Sequence, residues 1–193
     1  MEFITFQSKH FEQVLTIANS TLGANYLTVP YLNKYLNSNT YFAFVIIEDD
    51  EVIGFTSLVI LTPKELKKTV LKEKDWFYEL SKKYARIALR KQTIVHPNFI
   101  GKGYGSKLVE LSSKLIESLC DFQLSTVWIK HSNNAMSTIL LKNGFERTKT
   151  LHNYWKADSL ENKYSCPECG TPPCMCSTEV YRKKNAPALT DAF

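Results

Sequence analysis

Val95-His96-Pro97-Asn98-Phe99-Ile100-Gly101-Lys102-Gly103-Tyr104-Gly105-Ser106-Lys107-Leu108 decides how this chain folds. An apolar run, Ile87 to Val95, precedes it. A helical pattern follows it: Leu108, Leu111, Leu115, Ile116 and Leu119. The order is strand, glycine turn, helix. Alternating glycines let the backbone turn its N–H groups inward, and the new helix points its positive end at the same spot. That geometry holds a phosphate or pyrophosphate with little side-chain help. A tight strand-to-helix connection with no ligand would use the same glycines. The stretch is not the dinucleotide fingerprint, which needs G-x-G-x-x-G, nor a P-loop, which ends Gly-Lys-Ser/Thr.

With 193 residues, 44% of them apolar and 22% charged, the chain reads as one globular domain with a proper core. The expected domain spans residues 1–185, followed by a loose tail over 186–193. No apolar run reaches the ~18 residues of a membrane span, and Met1-Glu2-Phe3 does not open a signal peptide. The expectation is a soluble cytoplasmic protein with no membrane partner. A net charge of +5 permits an acidic or nucleic-acid partner without demanding one.

Four of the five cysteines crowd together: Cys166-Pro-Glu-Cys169-Gly, then Cys174-Met-Cys176. In a secreted chain this density would suggest disulfides. In a cytosolic chain, a C-P-x-C-G knuckle suggests a four-thiolate zinc site, with Cys166, Cys169, Cys174 and Cys176 as ligands. Free or redox-active thiols are the alternative. The knuckle, at about 160–178, is expected mainly to staple a hairpin, since metal binding can supply folding energy. Cys120 ends an apolar helix pattern and reads as a buried structural thiol.

Along the chain, Glu2 to Phe6 reads as a strand, and Ser8 is expected to cap a helix with Phe11, Val14, Leu15 and Ala18 on one side. Pro30 opens a short helix ending near Asn37. Tyr41–Glu48 and Val52–Leu61 are strands joined by an acidic turn. A lysine-rich helix is expected from Pro63 to about Leu80, then a long strand from Tyr84 to Val95. After the glycine turn and its helix come a strand over Leu124–Lys130, a helix over Asn133–Lys142 and a strand over Phe145–Lys156. Glu179–Lys183 closes the sheet. This is a mixed α/β domain with strands and helices interleaved.

Val95-His96-Pro97 through Gly105 resembles motif A of the GNAT superfamily, the acyl-CoA-dependent N-acyltransferases. That motif, Q/R-x-x-G-x-G/A, opens the helix that carries the CoA pyrophosphate. Gly103 and Gly105 match it, while Ile100 stands where Gln or Arg is usual. Asn133 with Leu140-Leu141-Lys142-Asn143-Gly144-Phe145 is similar to motif B, an Asn, a helix and a closing Gly-Phe. The two motifs stand in the family's order and spacing, and a weaker resemblance covers residues 1 to about 156.

The resemblance implies an α/β (α+β) fold whose mixed, mostly antiparallel sheet splays between its fourth and fifth strands. It implies acetyl-CoA as cosubstrate and an unidentified amine as acceptor. The pyrophosphate would lie on Gly101, Lys102, Gly103, Tyr104, Gly105 and Ser106. Backbone groups of Thr93, Ile94 and Val95 would pair with pantetheine. Asn133 would cap its helix and touch the cofactor, and a plain N-cap is equally good chemistry. The knuckle would border the acceptor groove.

Acylation needs a neutral amine, and an alkylamine with a pKa near 10 must first shed a proton. Members of the family commonly place Glu or His where Leu89 or Lys91 stands here, and a general-acid Tyr where Leu140 stands. No Asp or Glu occurs between Glu79 and Glu110. His96, His131, Tyr154 and the zinc-bridging loop remain as candidates, with His131 and Tyr154 as the catalytic residues expected. Lys82, Lys83, Arg86, Arg90 and Lys91 make the fourth strand basic, with Arg86 and Arg90 on one face and Lys91 on the other. That pattern fits a solvated face, or an acceptor carrying phosphate or carboxylate. Three readings follow: an N-acetyltransferase, a nucleic-acid modifier resembling the phage Mom-type proteins, and a non-catalytic zinc module that binds CoA or a partner.

Overall fold

The fourth strand organises the molecule. In the computed structural model, which describes residues 1–129 and 135–185, β4 (Ile87–Val95) lies at the centre of a seven-stranded sheet. Its neighbours before it in sequence are β1 (Glu2–Thr5), β2 (Tyr41–Glu48) and β3 (Glu51–Leu61). Those after it are β5 (Phe122–Trp128), β6 (Glu146–Leu151) and β7 (Thr178–Lys184). The spatial order is β1-β2-β3-β4-β5-β7-β6. β7 therefore inserts between β5 and β6, so β6 forms the edge and not the last strand, which was expected to close the sheet.

Every pair is antiparallel except β4 with β5. That parallel ladder runs only from Ile87–Phe122 to Arg90–Ser125. Beyond Arg90 the strands part, and the edge of β4 that faces β5 has no ladder partner among the described residues. β4 stays paired to β3 along its other edge, through Thr56–Thr93, Phe55–Ile94 and Gly54–Val95. The β3–β4 register shifts between Ser57 and Leu58, so Lys91 is the extra residue of a bulge.

The bulge resets which face each side chain takes. Ile87 and Leu89 enter the core that also holds Phe122, Leu124 and Val180. Arg90 points to the opposite face, under α5 (Tyr104–Ile116). Past the bulge, Gln92 and Ile94 return to the face covered by α1 (Phe11–Thr21) and α2 (Val29–Asn33).

Several boundaries differ from those read in the sequence. Ser8 lies inside a 3-10 turn, and the Gln7 backbone N–H donates to His10 Nδ1 at 3.0 Å ahead of α1. The second helix starts earlier, with Thr28 as its cap, and stops at Asn33. The lysine-rich helix is two helices, α3 (Pro63–Thr69) and α4 (Lys74–Ser81), because Val70 turns extended and Glu73 adopts a left-handed conformation at φ 56°. Tyr84 precedes β4 and stacks on Phe122 at 4.5 Å. The strand expected to reach Lys156 stops at Leu151 and gives way to α7 (Lys156–Asn162). The described part of the motif B helix is α6 (Ala135–Lys142). No helix among the described residues is long and apolar enough to cross a membrane.

Candidate active site

The parting of β4 from β5 opens a cleft of about 540 Å³. One wall is β4 from Arg90 to Val95, the other is β5 from Ser125 to Trp128. Gly101, Gly103, Tyr104, Gly105 and Ser106 form its mouth, and Ala135, Met136 and Ile139 of α6 line it beside them. Thr21, Leu22, Tyr26 and Trp155 bound the far end.

The mouth follows from its glycines. Gly101 and Gly103 have φ of 86° and 87°, the left-handed region that strains any L side chain. A Cβ at either would meet nothing within 4 Å, so both leave open space for a ligand. Gly105 is constrained differently, since its Cβ would lie 3.2 Å from Ile139 Cδ1 and 3.7 Å from Val95 Cγ2. Gly103 caps α5, whose first backbone N–H groups have no partner within the helix. Those donors and the helix dipole suit an anion.

Thr93, Ile94 and Val95 contribute backbone to the cleft. The Thr93 hydroxyl bonds Thr56 Oγ1 at 2.9 Å, and Ile94 is buried against α1. Lys102 does not line the cleft, since its ammonium lies 4.7 Å from the Phe99 ring centroid. The Tyr104 hydroxyl donates to Glu48 Oε2 at 2.8 Å, so the side chain braces the turn from outside. His131 and Asn133 lie outside the described residues.

His96 is a structural residue. Its Nδ1 accepts from the Asn98 backbone N–H at 3.3 Å, and its Nε2 lies 3.8 Å from Glu51. Tyr154 is buried behind the cleft wall, edge-on to Trp155 at 5.0 Å, with its hydroxyl accepting from the Leu71 N–H at 3.4 Å. Burial pushes its phenol well above the ordinary range. Leu140 is fully buried among Val109, Val127, Phe145 and Tyr181.

The basic strand is not a solvated face. Arg86 precedes β4, and its N–H donates to Asp121 Oδ2 at 2.9 Å. Arg90 is only 2% exposed. Its guanidinium donates to Thr56 Oγ1, Ser112 Oγ and Ser113 Oγ at 2.8–2.9 Å, all of them neutral. Burial pushes its pKa down to about 9.

The far end holds groups that sequence reasoning missed. The Tyr31 hydroxyl meets the Gln92 amide at 3.0 Å and ties α2 to β4. Tyr26 lines the cleft with its phenol pushed up to about 12, first by burial and then by the Asp158 carboxylate. Asp158 lies in the first turn of α7 and accepts from the Tyr164 hydroxyl at 2.7 Å. It lies just past the strand expected to end at Lys156, in a stretch assigned no element, and the helix-forming Lys-Ala-Asp-Ser-Leu-Glu order of 156–161 was the available signal.

The four knuckle cysteines converge. Their Sγ atoms all lie within 4.8 Å of one another, with Cys166–Cys176 at 3.7 Å and Cys169–Cys176 at 3.4 Å. A tetrahedral ion with metal–sulfur bonds of about 2.3 Å spaces its sulfurs about 3.8 Å apart, so the donor set fits zinc. Reciprocal backbone bonds between Cys166 and Gly170, both 2.8 Å, close the first turn. The Met175 N–H points at Cys169 Sγ at 3.4 Å, and the Trp128 indole is a hydrogen-bonding neighbour of Cys176. An aromatic recess of about 40 Å³ separates knuckle from cleft. Cys166, Cys174 and Tyr164 line one side of it, while Leu22, Tyr26, Trp128 and Trp155 line both recess and cleft.

A sheet splayed beside a glycine turn at a helix start is the architecture that the resemblance of the two motifs implies. The chain belongs to the acetyltransferase (GNAT) family, whose model matches residues 11–145. Solved structures share the fold over nearly the whole chain. The ribosomal-protein-S18-alanine N-acetyltransferase from Escherichia coli is 11% identical, covering 100% of this chain and 98% of its own, with a TM-score of 0.64. Arabidopsis thaliana NAA60 in complex with acetyl-CoA is 12% identical, covering 95% and 97%, with a TM-score of 0.66. An agmatine N-acetyltransferase is 11% identical, covering 95% and 100%, with a TM-score of 0.61. No curated protein matches the chain in sequence.

Proposed function

We propose that the chain transfers an acetyl group from acetyl-CoA to the amine of an acceptor seated at the aromatic end of the cleft. The observation that carries this reading is the unpaired edge of β4 from Lys91 to Val95, leading from the glycine mouth towards Tyr26 and Trp155. The N–H groups of Gly103 to Ser106 receive the pyrophosphate. Backbone groups of Thr93, Ile94 and Val95 take the place of a strand partner for pantetheine.

The thioester carbon then faces the acceptor amine across the apex of the splay. The amine attacks, the C–S bond breaks, and the thiolate, an adequate leaving group with a thiol pKa around 8.5, departs. Deprotonation of the amine does not use a carboxylate of β4, which has none. His131 is one base for this step, and water held by polar groups of the cleft is the other. The phenol of Tyr154 lies too deep to exchange its proton with the cleft directly.

Zinc on Cys166, Cys169, Cys174 and Cys176 fits as a structural ion. When bound it cross-links the knuckle and takes no part in acyl transfer. The knuckle's own residues shape the acceptor end, with Tyr164 and the ligand backbone forming the outer wall of the recess. Nothing in the buried, hydroxyl-bonded Arg90 favours a phosphate-bearing acceptor, so an amine on a peptide or small molecule is preferred to nucleic acid.

The test is release of CoA thiol from acetyl-CoA across a panel of peptides with free N-termini, lysine peptides, polyamines, DNA and tRNA. Turnover with an amine class supports the reading. Calorimetric absence of acetyl-CoA binding by the folded chain would overturn it.

A further inference from the structure

Lys91 is the one amine in the described wall of the cleft, and no described carboxylate forms an ion pair with it. As the bulged residue of β4 it stands beside the apex of the splay, one position beyond the last β4–β5 pair, Arg90–Ser125. It lines the cleft and is half-buried. Its side chain makes no hydrogen bond or ion pair with any described residue. The charges that reach it are Asp158 of α7 and Lys34, just past α2. Burial holds its ammonium below the ordinary lysine range, Asp158 opposes that, and Lys34 adds to it.

The position matters because of where an acyl-CoA would end. From Val95, beside the glycine mouth, back to Lys91 is four residues of strand, about 13 Å. An arm lying along that edge from the mouth delivers its thioester near the Lys91 side chain. This argument rests on the proposed acetyl-CoA reading of the cleft.

We propose that Lys91 is a self-acetylation site, taking the acetyl group from bound acetyl-CoA when no acceptor amine occupies the cleft. The neutral Nζ attacks the thioester carbon. A C–N bond forms, the C–S bond breaks, and the electron pair leaves with sulfur as CoA thiolate. The two protons that a lysine ammonium loses go one to solvent, before attack, and one to the thiolate. The product is CoA thiol and a neutral Nε-acetyl-Lys91 that carries its added acetyl into the acceptor end.

The experiment incubates the zinc-loaded full chain with isotopically labelled acetyl-CoA and no acceptor, then maps the label by peptide mass spectrometry. Lys91 should label at least about tenfold faster than the exposed Lys64 and Lys114, as expected when amine and thioester share one cleft. A non-reactive ethyl thioether of CoA should suppress labelling of Lys91 and spare the exposed lysines. The Lys91→Arg variant, folded by its thermal transition, should lose the cleft-dependent label. Labelling of Lys91 no faster than that of Lys64, or insensitive to the thioether, overturns the proposal. If calorimetry shows that acetyl-CoA binds, and acceptors turn over while Lys91 stays unlabelled, this inference alone fails. If acetyl-CoA does not bind, it fails together with the cosubstrate reading.

Discussion

Ser165 and Ala24 hold each other by two hydrogen bonds across 141 residues of sequence: the Ser165 N–H donates to the Ala24 carbonyl at 3.2 Å, and the Ala24 N–H donates to Ser165 Oγ at 3.0 Å. Next to them the chain has no room for a side chain, since a Cβ on Gly23 would lie 2.0 Å from the Ser165 carbonyl oxygen. Ser165 immediately precedes the first knuckle cysteine, and Ala24 lies two residues before Tyr26 of the cleft. The knuckle thus clamps the loop that brings Tyr26 to the cleft.

Loss of the metal should therefore loosen that loop. Cys169→Ser removes the exposed ligand and should abolish binding of about one zinc per chain. We expect a loss of about 3 kcal/mol, which for a chain of this size lowers Tm by about 6–12 °C. Amide exchange should accelerate over residues 22–28 and leave the protection of β4 nearly unchanged. Metal analysis, melting and exchange on one preparation check all three, and unchanged exchange at 22–28 would separate the knuckle from the acceptor wall.

Gly103→Val should weaken acetyl-CoA binding by about 100-fold, or about 2.7 kcal/mol. The side chain enters the open mouth and must hold φ near 87°, a strain of about 1–2 kcal/mol. Gly105→Val should cost stability too, about 1–3 kcal/mol, because its methyls meet Ile139 and Val95. Calorimetry with urea denaturation separates the two effects.

Arg90 is a buried cation among neutral oxygens, and replacing such a group with an apolar one of similar volume is often neutral or stabilising. Arg90→Met should stay within about 1 kcal/mol of wild type or exceed it. Arg90→Ala should lose about 2–4 kcal/mol through the cavity. The pH dependence has a definite sign. Below about 9 both folded and unfolded Arg90 are charged, and the burial penalty is fully present. Between there and the ordinary arginine range the unfolded chain binds more protons than the folded one, so wild-type stability gains as pH rises. Any advantage of Arg90→Met at pH 8 should therefore shrink by pH 10.5, as urea midpoints at the two values would show.

For an alkylamine acceptor, kcat/KM should climb about tenfold per pH unit between pH 7 and 9, tracking the free-base amine. A plateau above about pH 6.5 that vanishes in His131→Ala would instead make His131 the base.

The glycine turn, the helix behind it and the cysteine cluster were legible because each depends on local chemistry: φ, a helix start, thiol spacing. The splay follows from strand order and could be stated only through resemblance. Alternation could not show that α5 covers the face of β4 that carries Arg90, which is therefore buried rather than solvated, nor the extra residue at Lys91, which depends on pairing with β3. α7 escaped notice because Trp155, which caps it, offers no capping side chain, and the aromatic pair before it reads as strand. Tyr26 and Trp128 gave no signal, since their role comes from meeting the knuckle across the fold.

The four-residue ladder between β4 and β5 has one more consequence. The sheet is two half-sheets, β1 to β4 and β5 with β7 and β6, joined at one short seam. An arm that bonds along the open edge of β4 would serve as a missing strand and complete the sheet. The cosubstrate is then a folding ligand: at 100 times its Kd it adds about 2.7 kcal/mol to the native state. A chain deprived of acetyl-CoA would be less cohesive as well as idle, so its lifetime would follow the supply of the molecule it consumes.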